Sequence, residues 1–329
     1  MSSRTAALVA GAAAAAALAA LLASRLLRRK KVVITGGSGN LGTKLATHLC
    51  SLGGYDVVLI EHPKYFVEAR VPEGARFVLA DVADADAVGA WRETLRGAHA
   101  VVHFSAVNPY PNATWDESAQ FTRASMSHIL NVMVASAQAG SRRVVFASSN
   151  HVMGGYKDDH VHETVHPTDP PMCGTTLRDE AARWKSGDAV AYAAAKLAGE
   201  RLARTLAAAT ATEFVTLRIG WCQPGLNTPE TLSAAGVPPE YQTPGDDKEL
   251  KGEDVDEAWF KGMWLSNADF LAYFTAAIDV RLEAKHSLVN AMSKNTGARW
   301  SLHETEMLLS VQSVDDSNRA APGDAPGDN

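Results

Sequence analysis

Short apolar runs alternate with longer stretches of helical periodicity along most of this chain. Lys31–Thr35 encloses Val32, Val33 and Ile34 between charge and glycine; it is too brief for a helix and reads as a buried strand. Asn40 to Leu52 then carries Leu41, Leu45 and Leu49 on one helical face. Asp56–Ile60 predicts a second buried strand, Arg76–Leu79 a third, Asp84–Leu95 a helix and Ala100–Phe104 a fourth strand. A long helical stretch runs to Ala139, Arg143–Ala147 gives a fifth strand, an alanine-rich helix spans Ala189–Ala209, and Phe214–Arg218 is a further strand. Strands that alternate with helices and are apolar on both faces predict an α/β fold with a doubly wound parallel sheet over residues 31–220.

Beyond Gly220 the texture changes. Residues 224–258 are dense in Pro, Gly, Asp and Glu, a loop composition, and periodic apolar residues return from Trp259 to about Asp315. Residues 221–316 are therefore expected to form a smaller, partly helical substrate-binding region beside the sheet, and the Pro/Gly/Asp-rich stretch 317–329 a disordered tail. At the other end, Thr5 to Ser24 is uncharged and alanine-rich, with Leu8, Val9, Leu18, Leu21 and Leu22. Such a hydrophobic helix, rising ~1.5 Å per residue, is long enough to cross a bilayer. Residues 1–30 thus read as a membrane anchor, and Arg25, Arg28, Arg29, Lys30 and Lys31 behind the span place the bulk of the chain on the cytosolic side. The absence of any acidic residue before Asp56 equally fits an organelle targeting peptide that is later removed.

Composition narrows the partners. With 46% hydrophobic and 21% charged side chains the chain can bury a full core, which excludes a disordered polymer. A formal charge of -6 offers no basic surface for a phosphate backbone, so nucleic acid is not expected as a partner. Cys50, Cys173 and Cys222 are too scattered for a disulfide framework or a zinc cluster. His160, His162 and His166 around Glu163 lack a completing ligand, and no metal is expected. Homo-oligomerisation stays open.

Chemistry enters with Thr35-Gly36-Gly37-Ser38-Gly39-Asn40-Leu41-Gly42, set between a predicted strand and a predicted helix. Gly36 permits a tight turn, Gly39 lets backbone approach a pyrophosphate, and Gly42 allows close helix–strand packing. The helix start at Asn40 and Leu41 offers free N–H groups and a positive dipole end. Glu61 ends the second strand, where a carboxylate accepts hydrogen bonds from adenosine ribose hydroxyls and repels the 2′-phosphate of NADP. His62 and Pro63 follow it and supply no arginine, so NAD is the expected cofactor of a Rossmann-type site. Asp81 and Val82, at the end of the third strand, are placed for the adenine, although Asp81 also suits a helix cap.

Tyr192 and Lys196 share one face of the alanine-rich helix, an arrangement in which an ammonium lowers a phenol from its ordinary value of about 10 toward neutrality. Ser148 and Ser149 directly follow the fifth strand, at the carboxyl edge where open parallel sheets bind ligands. Glycine turn, acid, strand-end serine and Tyr-x-x-x-Lys, in that order, resemble an extended short-chain dehydrogenase/reductase of the NAD-dependent epimerase/dehydratase family over about residues 31–310. Phe146-Ala-Ser-Ser-Asn-His-Val152, Arg218-Ile-Gly220 and Trp264-Leu-Ser-Asn-Ala-Asp-Phe270 are similar to the uronate dehydrogenases within it.

That resemblance implies a catalytic set of Ser149, Tyr192 and Lys196, with Tyr192 taking the proton of a hexuronate C1 hydroxyl as an aldarolactone forms. It implies that Lys196 and Tyr192 also hold the nicotinamide ribose, that Ser105 joins the cofactor site, and that Asn150 and His151 contact the sugar acid. Asn108 occupies the place of a substrate-touching serine, and Lys261 stands near the place of a carboxylate-binding arginine, as a point charge without bidentate geometry. Trp184, Trp259, Trp264 and Trp300 could each stack on a sugar, although a single tryptophan more often packs a core or a lid; Trp259, close to that loop, is the one best placed. Two other readings keep the dinucleotide: a nucleotide-sugar epimerase or dehydratase with tightly held NAD, and a membrane-tethered binding protein without turnover.

Overall fold

The computed structural model describes residues 29–106, 115–174, 188–229, 232 and 257–318. The predicted N-terminal helix therefore lies outside the described residues, as do Asn108 and most of the 224–258 loop. Among the described residues no helix is long and apolar enough to cross a membrane.

Seven parallel strands form one sheet: β1 (Lys30–Thr35), β2 (Tyr55–Glu61), β3 (Arg76–Leu79), β4 (Ala100–His103), β5 (Arg143–Ser149), β6 (Glu213–Ile219) and β7 (His286–Ala291), in the spatial order β3-β2-β1-β4-β5-β6-β7. Parallel neighbours need crossovers, most of which helices provide: α1 (Asn40–Leu52), α2 (Val88–Leu95), α3 (Trp115–Gln138), α4 (Asp188–Ala209), α5 (Glu257–Gly262) and α6 (Asn267–Asp279), while α7 (His303–Leu309) follows the last strand. Strand order reverses between β1 and β4, so a crevice opens at their carboxyl ends, where such sheets receive ligands.

Alternation along the strands sends successive side chains to opposite faces, and both faces are covered. Val32 and Ile34 of β1 join Leu45 and Leu49 of α1 and Phe270 and Phe274 of α6 in one cluster. Val33, Val101, Val144 and Phe146 join Trp91 of α2, Met133 of α3 and Ala203 of α4 in the other. Full burial of each such aliphatic or aromatic side chain contributes about 1.5–3 kcal/mol, which fixes the strand ends relative to one another.

Part of residues 221–316 joins the sheet itself. β7 pairs in parallel with β6, and α6 lies in the sheet's core layer. A third cluster, built on Val152, Met153, Tyr156, Trp259, Phe260, Met263, Met292 and Trp300, closes the carboxyl edge around β5 and β6. Ser317, assigned to the tail by composition, instead donates from its N–H to Asn295 Oδ1 and from its hydroxyl to the Lys261 carbonyl.

Candidate functional site

Helix α1 starts without a side-chain cap and with no acidic residue in its first turn, so its positive end is left open. Gly36 turns with φ 69°, and a Cβ there would lie 3.0 Å from the Ser105 nitrogen, bringing Ser105 against the turn. A Cβ on Gly42 would sit 2.1 Å from the Gly36 carbonyl oxygen, so only glycine lets the helix close this tightly on the strand. Asn40 ties the turn to the end of β6 by donating to the Cys222 carbonyl at 3.0 Å, while Leu41 is half-buried against the core.

At the end of β2, Glu61 Oε2 accepts from the Ser38 N–H at 3.0 Å and the Ser38 hydroxyl at 3.1 Å, and Oε1 accepts from the His62 N–H at 2.9 Å. An open helix end, a turn that excludes side chains and a carboxylate at the adjacent strand end fit a dinucleotide, with the pyrophosphate at Gly39 to Gly42 and the ribose at Glu61. Asp81 accepts from the Ala83 N–H at 2.8 Å and lies 3.6 Å from His62 Nε2. Val82 is buried in the core cluster with Trp91.

The second half of the site stands over the end of β5. The Lys196 Nζ donates to the Ala147 carbonyl at 2.8 Å and lies 5.2 Å above the Phe146 ring and 5.4 Å from the Tyr192 ring centre. One turn further along α4, Glu200 accepts from the Ser148 hydroxyl at 2.6 Å and from Arg218 Nε and Nη2 at 2.9 and 2.8 Å. Strand β5, strand β6 and helix α4 are thus clamped together about two helical turns beyond Tyr192. Ser149, His151, Tyr192 and Lys196 come together here, and the His151 ring stands edge-on to Tyr192 at 6.2 Å.

Electrostatics separate this site from the simple expectation. Burial pushes the Tyr192 phenol up to about 12, with only a hydrogen bond from Ser149 pulling it down. The lowering toward neutrality expected from Lys196 is not produced, because burial outweighs the available polar contact. Burial drops Lys196 itself to about 7. His151, held down to about 4 by burial, is neutral; its Nδ1, 3.2 Å from the Gly174 carbonyl, carries the proton, which leaves Nε2 as an acceptor. Asn150 donates to the Ile219 carbonyl at 3.1 Å, and its buried Oδ1 has no partner among the described residues.

The Lys196 shift has a measurable consequence. Between about pH 7 and its ordinary value of 10.5, the unfolded chain carries a proton on this lysine that the folded chain does not. Stability of the cofactor-free protein is therefore expected to rise with pH across 7 to 9, measured by urea unfolding, and Lys196→Met should flatten that rise. A wild-type stability that is level or falling over this range would contradict the buried lysine.

Two sequence-predicted residues are not brought to this cluster. Lys261 is exposed, and its backbone carbonyl rather than its ammonium makes the contacts found there, to Trp264 and Ser317. Trp259 is buried against Trp300 at 4.9 Å with Arg299 over its ring, the packing role of the two open to it. His162 pairs with Asp159 and His166 with Glu304, on separate partners. The Glu200–Arg218 pair was missed in the sequence, where its one signal is a charge set in an otherwise apolar strand.

Residues 32–221, more than half of the chain, match the model of the NAD dependent epimerase/dehydratase family. The L-arabinose 1-dehydrogenase (NAD(P)(+)) of Haloferax volcanii is 29% identical over 287 residues, covering 86% of this chain and 96% of that protein. The uronate dehydrogenase of Pseudomonas syringae pv. tomato is 28% identical over 139 residues, covering 41% of this chain and 46% of that protein. A mutant uronate dehydrogenase from Agrobacterium tumefaciens complexed with NAD shares the fold, with a TM-score of 0.61 and 21% identity over 88% of this chain and 86% of that one.

Proposed function

Because the chain belongs to the NAD dependent epimerase/dehydratase family, we propose that it is an NAD-dependent dehydrogenase of sugars, acting at the anomeric hydroxyl, with a hexuronate oxidised at C1 to an aldarolactone as its substrate. The observation that carries the reading is the convergence of Ser149, Tyr192, Lys196 and a neutral His151 at the carboxyl end of β5, beside a turn that fits a dinucleotide. The sugar assignment is supported by the names of the L-arabinose and uronate enzymes that the chain resembles.

NAD, when bound, supplies the hydride acceptor. Ser149 holds the reacting hydroxyl, and Tyr192, hydrogen-bonded to Ser149, is the group within reach of its proton. A phenol at about 12 holds its own proton at neutral pH, so it needs a cation beside it to act as a base; Lys196, titrating near 7, carries that charge about half the time and stabilises the phenolate when it does. His151 Nε2, an acceptor, orients a second sugar hydroxyl. The clamp of Glu200 on Ser148 and Arg218 keeps these atoms in register without touching substrate.

A neutral aldose is the second reading, favoured by the exposed position of Lys261 and by the near full-length likeness to the arabinose enzyme. The test is a comparison of galacturonate with its methyl glycoside, whose C1 oxygen is blocked. NADH and lactone should form from the free sugar acid alone, and NADH from the glycoside would remove C1 as the site. A faster rate with arabinose or galactose than with either uronate would replace the uronate by a neutral aldose.

A further inference from the structure

At the end of the sheet opposite the crevice, the start of β7 meets the last turns of α4. His286 opens β7, the outermost strand on that side, and its Nε2 is buried with no hydrogen-bond partner among the described residues. Together with Arg204 and Lys285 it lines an open-sided cavity of about 530 Å³. Ala207, Ala208 and Ala284 complete the lining, and their small side chains leave the space free. No acidic residue lines it. Arg204, one turn of α4 beyond Glu200, is exposed and pairs with no carboxylate among the described residues. Glu200 acts on His286 from a distance, but its own oxygens are shared between Ser148 and Arg218. Burial and then the Arg204 charge hold the imidazole below its ordinary value, so the cluster is positive and uncompensated.

We propose that Arg204, Lys285 and His286 form a second ligand site, separate from the crevice, for the phosphate group of a small phosphorylated metabolite. A phosphate monoester carries a charge of about −1.5 to −2 at neutral pH and three strong acceptor oxygens. The guanidinium fork of Arg204 takes two of these oxygens at once, and the Lys285 ammonium and His286 Nε2 reach the remaining acceptor positions. A planar carboxylate has too few oxygens and too little charge for all three donors. Lys285 spends one N–H on the Thr210 carbonyl at 2.8 Å, which offsets the negative end of α4 that would otherwise repel an anion, and keeps its other two. Bound phosphate supplies the partner that the buried imidazole nitrogen lacks. The cavity exceeds what phosphate alone fills, so a short carbon skeleton lies against the three alanines.

The test is equilibrium dialysis of labelled inorganic phosphate and labelled glycerol 3-phosphate against the full chain, with NAD in excess to occupy the glycine turn and chloride holding the ionic strength constant. Both probes should bind saturably, glycerol 3-phosphate more tightly. Arg204→Ala should weaken both roughly tenfold or more, the size of one lost charge-assisted contact, and Arg204→Lys should restore part of the binding. His286→Gln, which keeps a neutral polar group in place of the imidazole, should weaken both by less than Arg204→Ala does. Because Arg204 is exposed, its variants keep the core intact, and an unchanged unfolding temperature checks that. Inorganic phosphate bound as tightly as glycerol 3-phosphate overturns the metabolite and leaves the free anion as the ligand. Absence of saturable binding, or binding that Arg204→Ala leaves unchanged, overturns the site.

Discussion

Tyr192→Phe is expected to lower kcat roughly 10²–10⁴-fold while leaving NAD affinity within about twofold, the signature of removing a group that moves a proton. Phenylalanine keeps the ring beside His151 and above Lys196 and deletes only the hydroxyl that meets Ser149. Deleting a buried phenol whose charged form burial disfavours does not threaten the fold, so the loss should appear in turnover and not in unfolding temperature. NADH formation at saturating sugar gives kcat, and cofactor fluorescence gives affinity. A variant retaining more than about a tenth of wild-type kcat would mean that another group takes the proton.

Glu200→Ala is expected to cost about 3–5 kcal/mol of stability, the penalty for leaving a buried guanidinium without its partner. Arg218 is almost fully inaccessible and spends two of its nitrogens on Glu200 and a third on the Pro167 carbonyl at 3.1 Å. The same change releases Ser148, so β5, β6 and α4 lose their shared tie, and the rate should fall with kcat more affected than KM because Tyr192 and Lys196 ride on α4. Replacing both partners together, as Glu200→Leu with Arg218→Met, should recover most of the stability, since no orphaned charge then remains. Urea unfolding of the single and double variants separates these outcomes; a single variant within about 1 kcal/mol of wild type would show that the pair is not desolvated.

Much of this could be read from the chain because the central strands are apolar on both faces and the helices between them keep one clean stripe. The helix from Asn40 to Leu52 and the strand from Arg76 to Leu79 fall where the pattern puts them. β7 was not separable from its surroundings, since His286, Ser287 and Leu288 are only half-buried at the sheet edge and break the apolar run. The glycine turn, Ser149, Tyr192 and Lys196 are locally encoded and carry chemistry by type, so they stood out.

Glu200 and Arg218 act through partners far away in the chain, and nothing local marks a contact that only the crossovers create. Lys261 shows the converse: residue type and neighbourhood suggest a ligand contact, and the folded chain leaves the residue exposed; Trp259 packs in the third cluster, as a single tryptophan more often does. The tyrosine's pKa departs from the sequence expectation for a related reason, because spacing on a helix reports proximity to an ammonium and says nothing of how deeply both groups are desolvated.

The most direct test of the whole account is absorbance at the NADH band when the full chain is mixed with NAD and, in turn, galacturonate, glucuronate, arabinose, galactose and UDP-glucose. Net NADH should accumulate with a free sugar or sugar acid, in step with the sugar consumed, and not with UDP-glucose. No NADH from any free sugar, with UDP-glucose instead converted to an isomer at constant NAD, would contradict the dehydrogenase reading and move the function to a nucleotide-sugar epimerase.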